Sequence, residues 1–281
     1  MTVKFNVCEG LKLAADVKGA WTGHPVLLLH GGGQTRNAWK GTGRVLAYEG
    51  FFSVAVDLRG HGESDWSPEA NYTLDACAAD IAAIVRALGR KVAIVGASLG
   101  GLASLHTIGK SPDLECSALV LVDVAPKTRA TGRHRIKEFM RANPGGFASV
   151  AEAADSVSQY LPHRPRPSDL SGLTKNLRLK KDGRYYWHWD PRLFDGGLTD
   201  SINEAREGLE LSAATTSVPL LLVRGTNSEI VSEEDAAAFR SVAPQAEYVE
   251  VPSARHMVAG DNNDIFTRIV VQFLNQHIDR I

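Results

Sequence analysis

The sequence predicts an α/β architecture, a mostly parallel, doubly wound sheet with a helical cap inserted after the strand that ends at Asp123. Three observations carry this. Short unbroken apolar runs recur at residues 25–30, 52–57, 91–97, 118–123 and 218–223, and such runs mark strands covered on both faces. Helix-period stretches separate the early runs, so strand and helix alternate, which implies right-handed crossovers and parallel pairing. Between residues 126 and 217 the sheet-type runs vanish, and amphipathic and proline-rich stretches replace them. Residues 1–125 and 218–281 are therefore expected to form the core domain and 126–217 the cap. A chain of 281 residues, 44% hydrophobic, suits one sizeable domain with an insertion.

Residues 2–7 and 11–17 alternate apolar and polar side chains about Glu9-Gly10, which predicts an antiparallel hairpin at a sheet edge. The run 25–30 is a buried strand closed by Gly31-Gly32-Gly33. A helix through Trp39 to Tyr48 follows, then a strand over 52–57 and a loop over 58–64. Apolar and alanine spacing predicts a helix over 75–88, stopped by Gly89. The strand over 91–97 runs directly into another helical pattern, and 118–123 is the next buried strand. Within the cap, 132–142, 149–161 and 169–177 read as helices, Pro162, Pro165 and Pro167 as a bend, and 181–184 as a turn. The sheet resumes at 218–223, with a helix over 232–242, a short strand near 248–251 and a terminal helix over 264–277.

A net charge of −1 gives no electrostatic case for nucleic acid or an anionic membrane. The first residues lack an apolar run of secretory type and no segment approaches a membrane span, so a cytoplasmic protein is expected. Cys8, Cys77 and Cys116 are an odd number without a C-x-x-C pair and read as buried free thiols. No cofactor and no metal site are expected. The partner is a small-molecule substrate, and the sequence assigns no oligomeric state.

The chemistry centres on Gly96-Ala97-Ser98-Leu99-Gly100-Gly101. A serine between small residues, at the junction of a strand and a helix, occupies a strained turn that a Cβ at Gly96 or Gly100 would crowd. The helix opened by Leu99 begins with N–H groups that have no intrahelical partner and can face developing negative charge. This is the G-x-S-x-G pattern. A serine hydroxyl attacks only when a base takes its proton. Among nine histidines, His256 is preferred because its loop lies between the last strand and the last helix, at the strand ends where Ser98 emerges. His30, His61, His106 and His277 read as structural or surface residues, and Met140 as core.

These pieces, with His30-Gly31-Gly32-Gly33 and Trp39, the loop from Asp57 to Ser64, the strand ending Val122-Asp123 and the run His256 to Asp261, make the chain resemble a capped α/β-hydrolase of the serine esterase branch over nearly its whole length. Serine at the elbow argues against the aspartate-nucleophile branches. The resemblance implies an oxyanion hole of backbone N–H groups at Gly32 and Leu99, with Gly33 as a substitute for Gly32. Its commonest acid is an aspartate three residues beyond the glycine that ends the strand after the cap, but here Gly225-Thr226-Asn227-Ser228 puts serine there. Asp123 is the preferred acid and Glu229 the alternative. Asp57, Arg59 and His61 read as a structural brace. Trp187, His188 and Trp189 are candidate substrate contacts in an aromatic stretch that also suits packing of the cap. The cations Arg129, Arg133, Arg135, Lys137 and Arg141 read as a solvated helix face.

The expected function is a serine hydrolase that cleaves a small, largely apolar carboxylic ester or lactone through an acyl-enzyme on Ser98. Its rivals are a C–C bond hydrolase of a β-diketone-like substrate using the same residues, and a slow-turnover ligand sensor on a hydrolase fold.

Overall fold

A computed structural model describes residues 1–195 and 197–278. The hairpin β1 (Thr2–Asn6) and β2 (Lys12–Lys18) leads into β3 (Pro25–Leu29), α1 (Lys40–Tyr48), β4 (Phe52–Val56), α2 (Leu74–Leu88), β5 (Val92–Ala97), α3 (Leu99–Lys110) and β6 (Cys116–Val122). The connecting segment then holds α4 (Ala130–Arg141), α5 (Val150–Tyr160), α6 (Ser171–Thr174), β7 (Leu177–Leu179), β8 (Tyr185–Trp187), α7 (Leu198–Glu204) and α8 (Arg206–Thr215). The sheet resumes with β9 (Leu220–Gly225), α9 (Glu233–Val242) and β10 (Glu247–Val251), and the chain closes with α10 (Val258–Asp261) and α11 (Asn263–His277).

Eight strands form one sheet in the order β1-β2-β4-β3-β5-β6-β9-β10. Only the β1–β2 and β2–β4 pairs are antiparallel, so the expected edge hairpin sits beside a parallel core. The period-two alternation of a strand explains the unbroken apolar runs, since each run feeds two cores at once. Leu27 and Leu29, Ile94, and Leu119 and Leu121 face a core shared with α2, α3, α8 and α9. Val26 and Leu28, Ala93 and Val95, and Val120 and Val122 face the other, shared with α1 and α11. Caps fall where the side chains allow them. The Thr73 hydroxyl accepts from the Ala76 amide at the start of α2, and Gly89 closes that helix at φ +62°.

Of the three cysteines expected to be buried only Cys77 is, since Cys8 is exposed and Cys116 half-buried. The segment between β6 and β9 also departs from expectation. Residues 169–177 are not a single helix, because only Ser171–Thr174 is helical before the chain enters β7. β7 pairs with β8 across a turn in which Gly183 takes φ +77°, so Leu177 stands opposite Trp187 and Leu179 opposite Tyr185. Met140, Phe147, Trp187 and Trp189 build a separate small core there. Among the described residues no helix is long and apolar enough to cross a membrane.

Candidate active site

Ser98 lies between the end of β5 and the start of α3 with φ +48° and ψ −116°, a conformation that costs a non-glycine residue roughly 1–3 kcal/mol. The surroundings enforce it. A Cβ on Gly96 would stand 2.6 Å from the Gly100 carbonyl oxygen, and one on Gly100 would stand 2.6 Å from that of Leu29. The Ser98 amide donates to Val122 O on the neighbouring strand at 3.2 Å, and its carbonyl accepts from the Gly101 and Leu102 amides. Leu99 is thus the first residue of α3, and its N–H has no earlier helical carbonyl to meet.

Asp123 sits one residue past β6, fully buried, also at positive φ (+49°). Its carboxylate is held on both oxygens. Oδ1 accepts from the Gly225 amide at 3.0 Å, and Oδ2 accepts from the Ser228 hydroxyl at 2.5 Å and from His256 Nδ1 at 2.8 Å. Ser228, which stands where the commoner pattern has an aspartate, therefore donates to the carboxylate that bonds His256. Its own oxygen accepts from the Ile230 and Val231 amides at 3.1 and 3.0 Å, which fixes the hydroxyl proton toward Asp123. A carboxylate can only accept, so Nδ1 of His256 carries hydrogen and Nε2 is left as the base in neutral imidazole. The structure does not join Glu229 to His256. One Glu229 oxygen is buried without a hydrogen-bond partner, and with burial as the larger cause it helps push the Tyr160 phenol up to about 12.

Of the three glycines after β3, Gly33 is committed elsewhere, because its amide donates to His61 Nε2 at 3.1 Å. The Gly31 amide donates to Gln34 Oε1, so Gly32 is the residue of this loop whose N–H carries neither bond. His61 belongs to a cluster of three buried histidines, packed edge-on and tilted, that the sequence did not single out as a unit. Ring centroids lie 5.0 Å apart for His30 and His61, and 6.0 Å apart for His61 and His188. Each ring spans two backbone groups. His30 donates from Nδ1 to Gly31 O and accepts from the Leu58 amide; His61 donates from Nδ1 to Arg59 O and accepts from Gly33. His188 accepts from the Gly62 amide at 2.8 Å and donates from Nε2 to Gly33 O at 3.3 Å. Such bonding requires neutral rings. Burial, reinforced at His61 and His188 by the neighbouring rings, lowers His30 to about 4, His61 to about 3 and His188 well below the ordinary value.

His188, a candidate substrate contact in the sequence, does not line the cavity at Ser98 and His256. Side chains alternate along extended backbone, so Trp187 and Trp189 face one way and His188 the other. The two indoles stack at 4.9 Å, and they wall a cavity of about 420 Å³ together with Ser98, His256, Trp39 and Met140. They pack and line at once. A second cavity of about 570 Å³ meets the first at Ser98, Gly32 and Ile136. Ile136 and Met140, four residues apart, form one face of α4 that looks into the first cavity, so Met140, read as core in the sequence, also lines that space. Asp57, Arg59 and His61 each tie loops together but do not form one brace: the Arg36 and Glu63 amides donate to the Asp57 carboxylate at 2.6 and 2.9 Å, and the Arg36 guanidinium pairs with it. Arg59 forks onto Asp80 at 2.6 and 2.8 Å. Among the described residues no group of three His, Cys, Asp or Glu side chains is arranged to hold a metal.

Fold and site together define the class, a hydrolase whose reacting groups emerge from the strand ends of a doubly wound sheet. Residues 24–262 match the family described as the alpha/beta hydrolase fold, and the chain belongs to that family, in its esterase branch. An esterase of Mycobacterium tuberculosis, Rv0045c, is 31% identical over 87% of this chain and 80% of its own length. Its crystal structure superimposes with a TM-score of 0.75 over 98% of this chain and 92% of the other, at 28% identity. A 2-(acetamidomethylene)succinate hydrolase of Mesorhizobium japonicum is 32% identical over 82% of this chain and 79% of its own. A solved E-2-(acetamidomethylene)succinate hydrolase, 24% identical, shares the fold with a TM-score of 0.83 over 98% of this chain and 99% of the other.

Proposed function

We propose that the protein is a serine hydrolase of carboxylic esters, with Ser98 as nucleophile, His256 as general base and acid, Asp123 as the orienting carboxylate, and the amides of Gly32 and Leu99 as the oxyanion hole. The observation that carries this is the 2.8 Å bond from His256 Nδ1 to the buried Asp123, beside a strained serine that shares the cavity wall with His256. Ser98 Oγ bonds to the ester carbonyl carbon while its proton passes to His256 Nε2, and the carbonyl oxygen becomes an oxyanion facing the two amides. The carbon–oxygen bond to the leaving group then breaks, and His256 returns the proton to the departing alkoxide. Water repeats the sequence in reverse, giving its proton to His256, releasing the acid and restoring the serine.

In this reading residues 126–217 act as the cap, and the aromatic pair Trp187 and Trp189 limits the group that fits over Ser98 and His256. Labelling with a fluorophosphonate probe and sequencing the adduct by mass spectrometry tests the proposal. The adduct is expected on Ser98, and Ser98→Ala should lose both labelling and turnover. Undiminished hydrolysis by Ser98→Ala overturns the reading.

A further inference from the structure

Five cations on or beside α4 read as one solvated face in the sequence, but the structure separates them. Arg129 pairs with Glu234 at 3.8 Å and Arg141 with Asp195 at 2.7 Å. Arg135 donates to the Tyr160 carbonyl and lies 5.3 Å over that ring. Arg133 and Lys137 differ. They stand four residues apart on one side of the helix, half-buried, and both wall the second cavity. Among the described residues neither has a carboxylate partner; Arg133 donates one bond, to the Thr128 hydroxyl at 3.0 Å. The rest of that wall is largely apolar, with Leu102, Val124, Phe194, Leu198 and Ile202. Two half-buried cations without a carboxylate partner, set against such a wall, favour an anion delivered with an apolar body.

The two cavities also divide the substrate. His256 walls the first cavity and not the second, whereas Leu99, an oxyanion donor in the proposed mechanism, walls the second. The group that His256 protonates as it leaves must lie on the His256 side, so the acyl chain extends into the second cavity. Ile136, which walls both cavities, is three residues from Arg133 and one from Lys137, within about 4.5 Å along the helix axis. Ser98, Ile136, Arg133 and Lys137 all wall the second cavity, so an acyl chain placed there runs from the serine toward the cations.

We propose that the substrate is a monoester of a short dicarboxylic acid, its free carboxylate held by Arg133 and Lys137 while Ser98 attacks the esterified end. This deepens the serine-hydrolase reading and rests on it. Arg133 offers a fork that can take both carboxylate oxygens and Lys137 a single point charge, so the pair fixes direction as well as charge.

The test compares kcat/KM for monoethyl glutarate and monoethyl adipate with that for neutral ethyl esters of matched chain length, followed by pH-stat titration. The wild-type protein should prefer the monoanion by at least tenfold, and added salt should shrink the preference. Arg133→Met and Lys137→Met should each reduce the ratio of anionic to neutral kcat/KM about tenfold. Arg129→Gln and Arg141→Gln, whose cations face other partners, should leave that ratio unaltered. A wild-type preference for neutral esters, or an undiminished ratio in the Arg133→Met/Lys137→Met double variant, overturns the inference. Should Ser98-dependent hydrolysis of neutral esters persist in that case, the hydrolase reading stands and only the carboxylate site falls. If no ester is turned over, the hydrolase reading falls, and calorimetric titration with adipate decides the site separately. Saturable binding abolished by the double variant supports it, and absence of binding overturns it.

Discussion

His188 gives the sharpest prediction, because its protonation state is dictated by two backbone groups. Its Nδ1 must accept from Gly62 and its Nε2 must donate to Gly33, so a second proton would break the first bond and put a charge among His30, His61 and the stacked indoles. Burial, then the neighbouring rings, holds the folded pKa well below its ordinary value, whereas in the unfolded chain His188 titrates near 6.5. Below about pH 6.5 the unfolded state therefore binds a proton that the folded state does not. Stability contributed by the neutral ring is complete above that pH and is lost as pH falls toward the folded value. One such group gives a slope approaching 1.4 kcal/mol per pH unit, and His30 and His61, lowered to about 4 and 3, behave alike, so the cluster contributes about 4 kcal/mol per unit near pH 5. In His188→Asn the amide oxygen replaces Nδ1 as acceptor for Gly62, and the titration disappears. That variant should lose roughly 1–2 kcal/mol at pH 7.5 for the missing bond to Gly33 and the lost packing. Its stability should then fall with acidity less steeply than the wild type, by about 1 kcal/mol per unit between pH 6 and 5. Urea unfolding followed by tryptophan fluorescence at half-unit pH intervals measures both curves. Comparing the two cancels the carboxylates. Parallel curves would show that the folded protein accommodates a protonated His188, and would refute the reasoning.

Four further outcomes are expected. Asp123→Asn should lower kcat by roughly three to four orders of magnitude, because an amide at that site favours the wrong imidazole tautomer. Glu229→Gln, remote from His256, should cost no more than a few-fold. Ser228→Ala leaves Asp123 with one fewer donor and the Ile230 and Val231 amides without their acceptor, so it should reduce kcat about tenfold and stability by about 1–3 kcal/mol, read by steady-state kinetics and thermal melting. Gly100→Ala drives a Cβ to 2.6 Å from Leu29 O and 2.8 Å from His30 O, and should yield protein destabilised by more than about 2 kcal/mol with Ser98 displaced; a melting temperature equal to wild type contradicts that account.

Much of the fold was legible because a strand buried on both faces needs an unbroken apolar run, and the five runs of this chain are the five central strands. The elbow was legible for a related reason, since the glycines at 96 and 100 record close approaches of backbone to backbone that no other residue permits. The carboxylate partner of His256 was legible only as a choice. Asp123 and Glu229 both satisfy the chain order, and what holds Asp123 against His256 includes the Ser228 hydroxyl, whose proton is aimed by two amides that no pattern of residue types reveals. The histidine cluster escaped for the same reason. His30, His61 and His188 are far apart in sequence, each looks unremarkable alone, and their unity comes from the topology that brings three loops together at Gly33. The helix expected over 169–177 failed because Leu177 and Leu179 suit a helix by composition, yet they find strand partners across the Gly183 turn.

Two chambers that meet at one serine hydroxyl impose an order on departure. In the proposed mechanism the first product leaves through the chamber walled by His256 while the acyl arm stays seated in the other, so the vacated chamber admits whatever small hydroxyl compound arrives next. Water completes hydrolysis, but a short alcohol entering the same chamber would receive the acyl group, so the protein should partition between hydrolysis and transesterification as alcohol concentration rises. The kinetics should be ping-pong, with alcohol raising the rate of acyl-enzyme breakdown and the free acid competing with the incoming ester. A single chamber shared by both arms would instead have to empty before any acceptor entered, and the alcohol would then act only as an inhibitor.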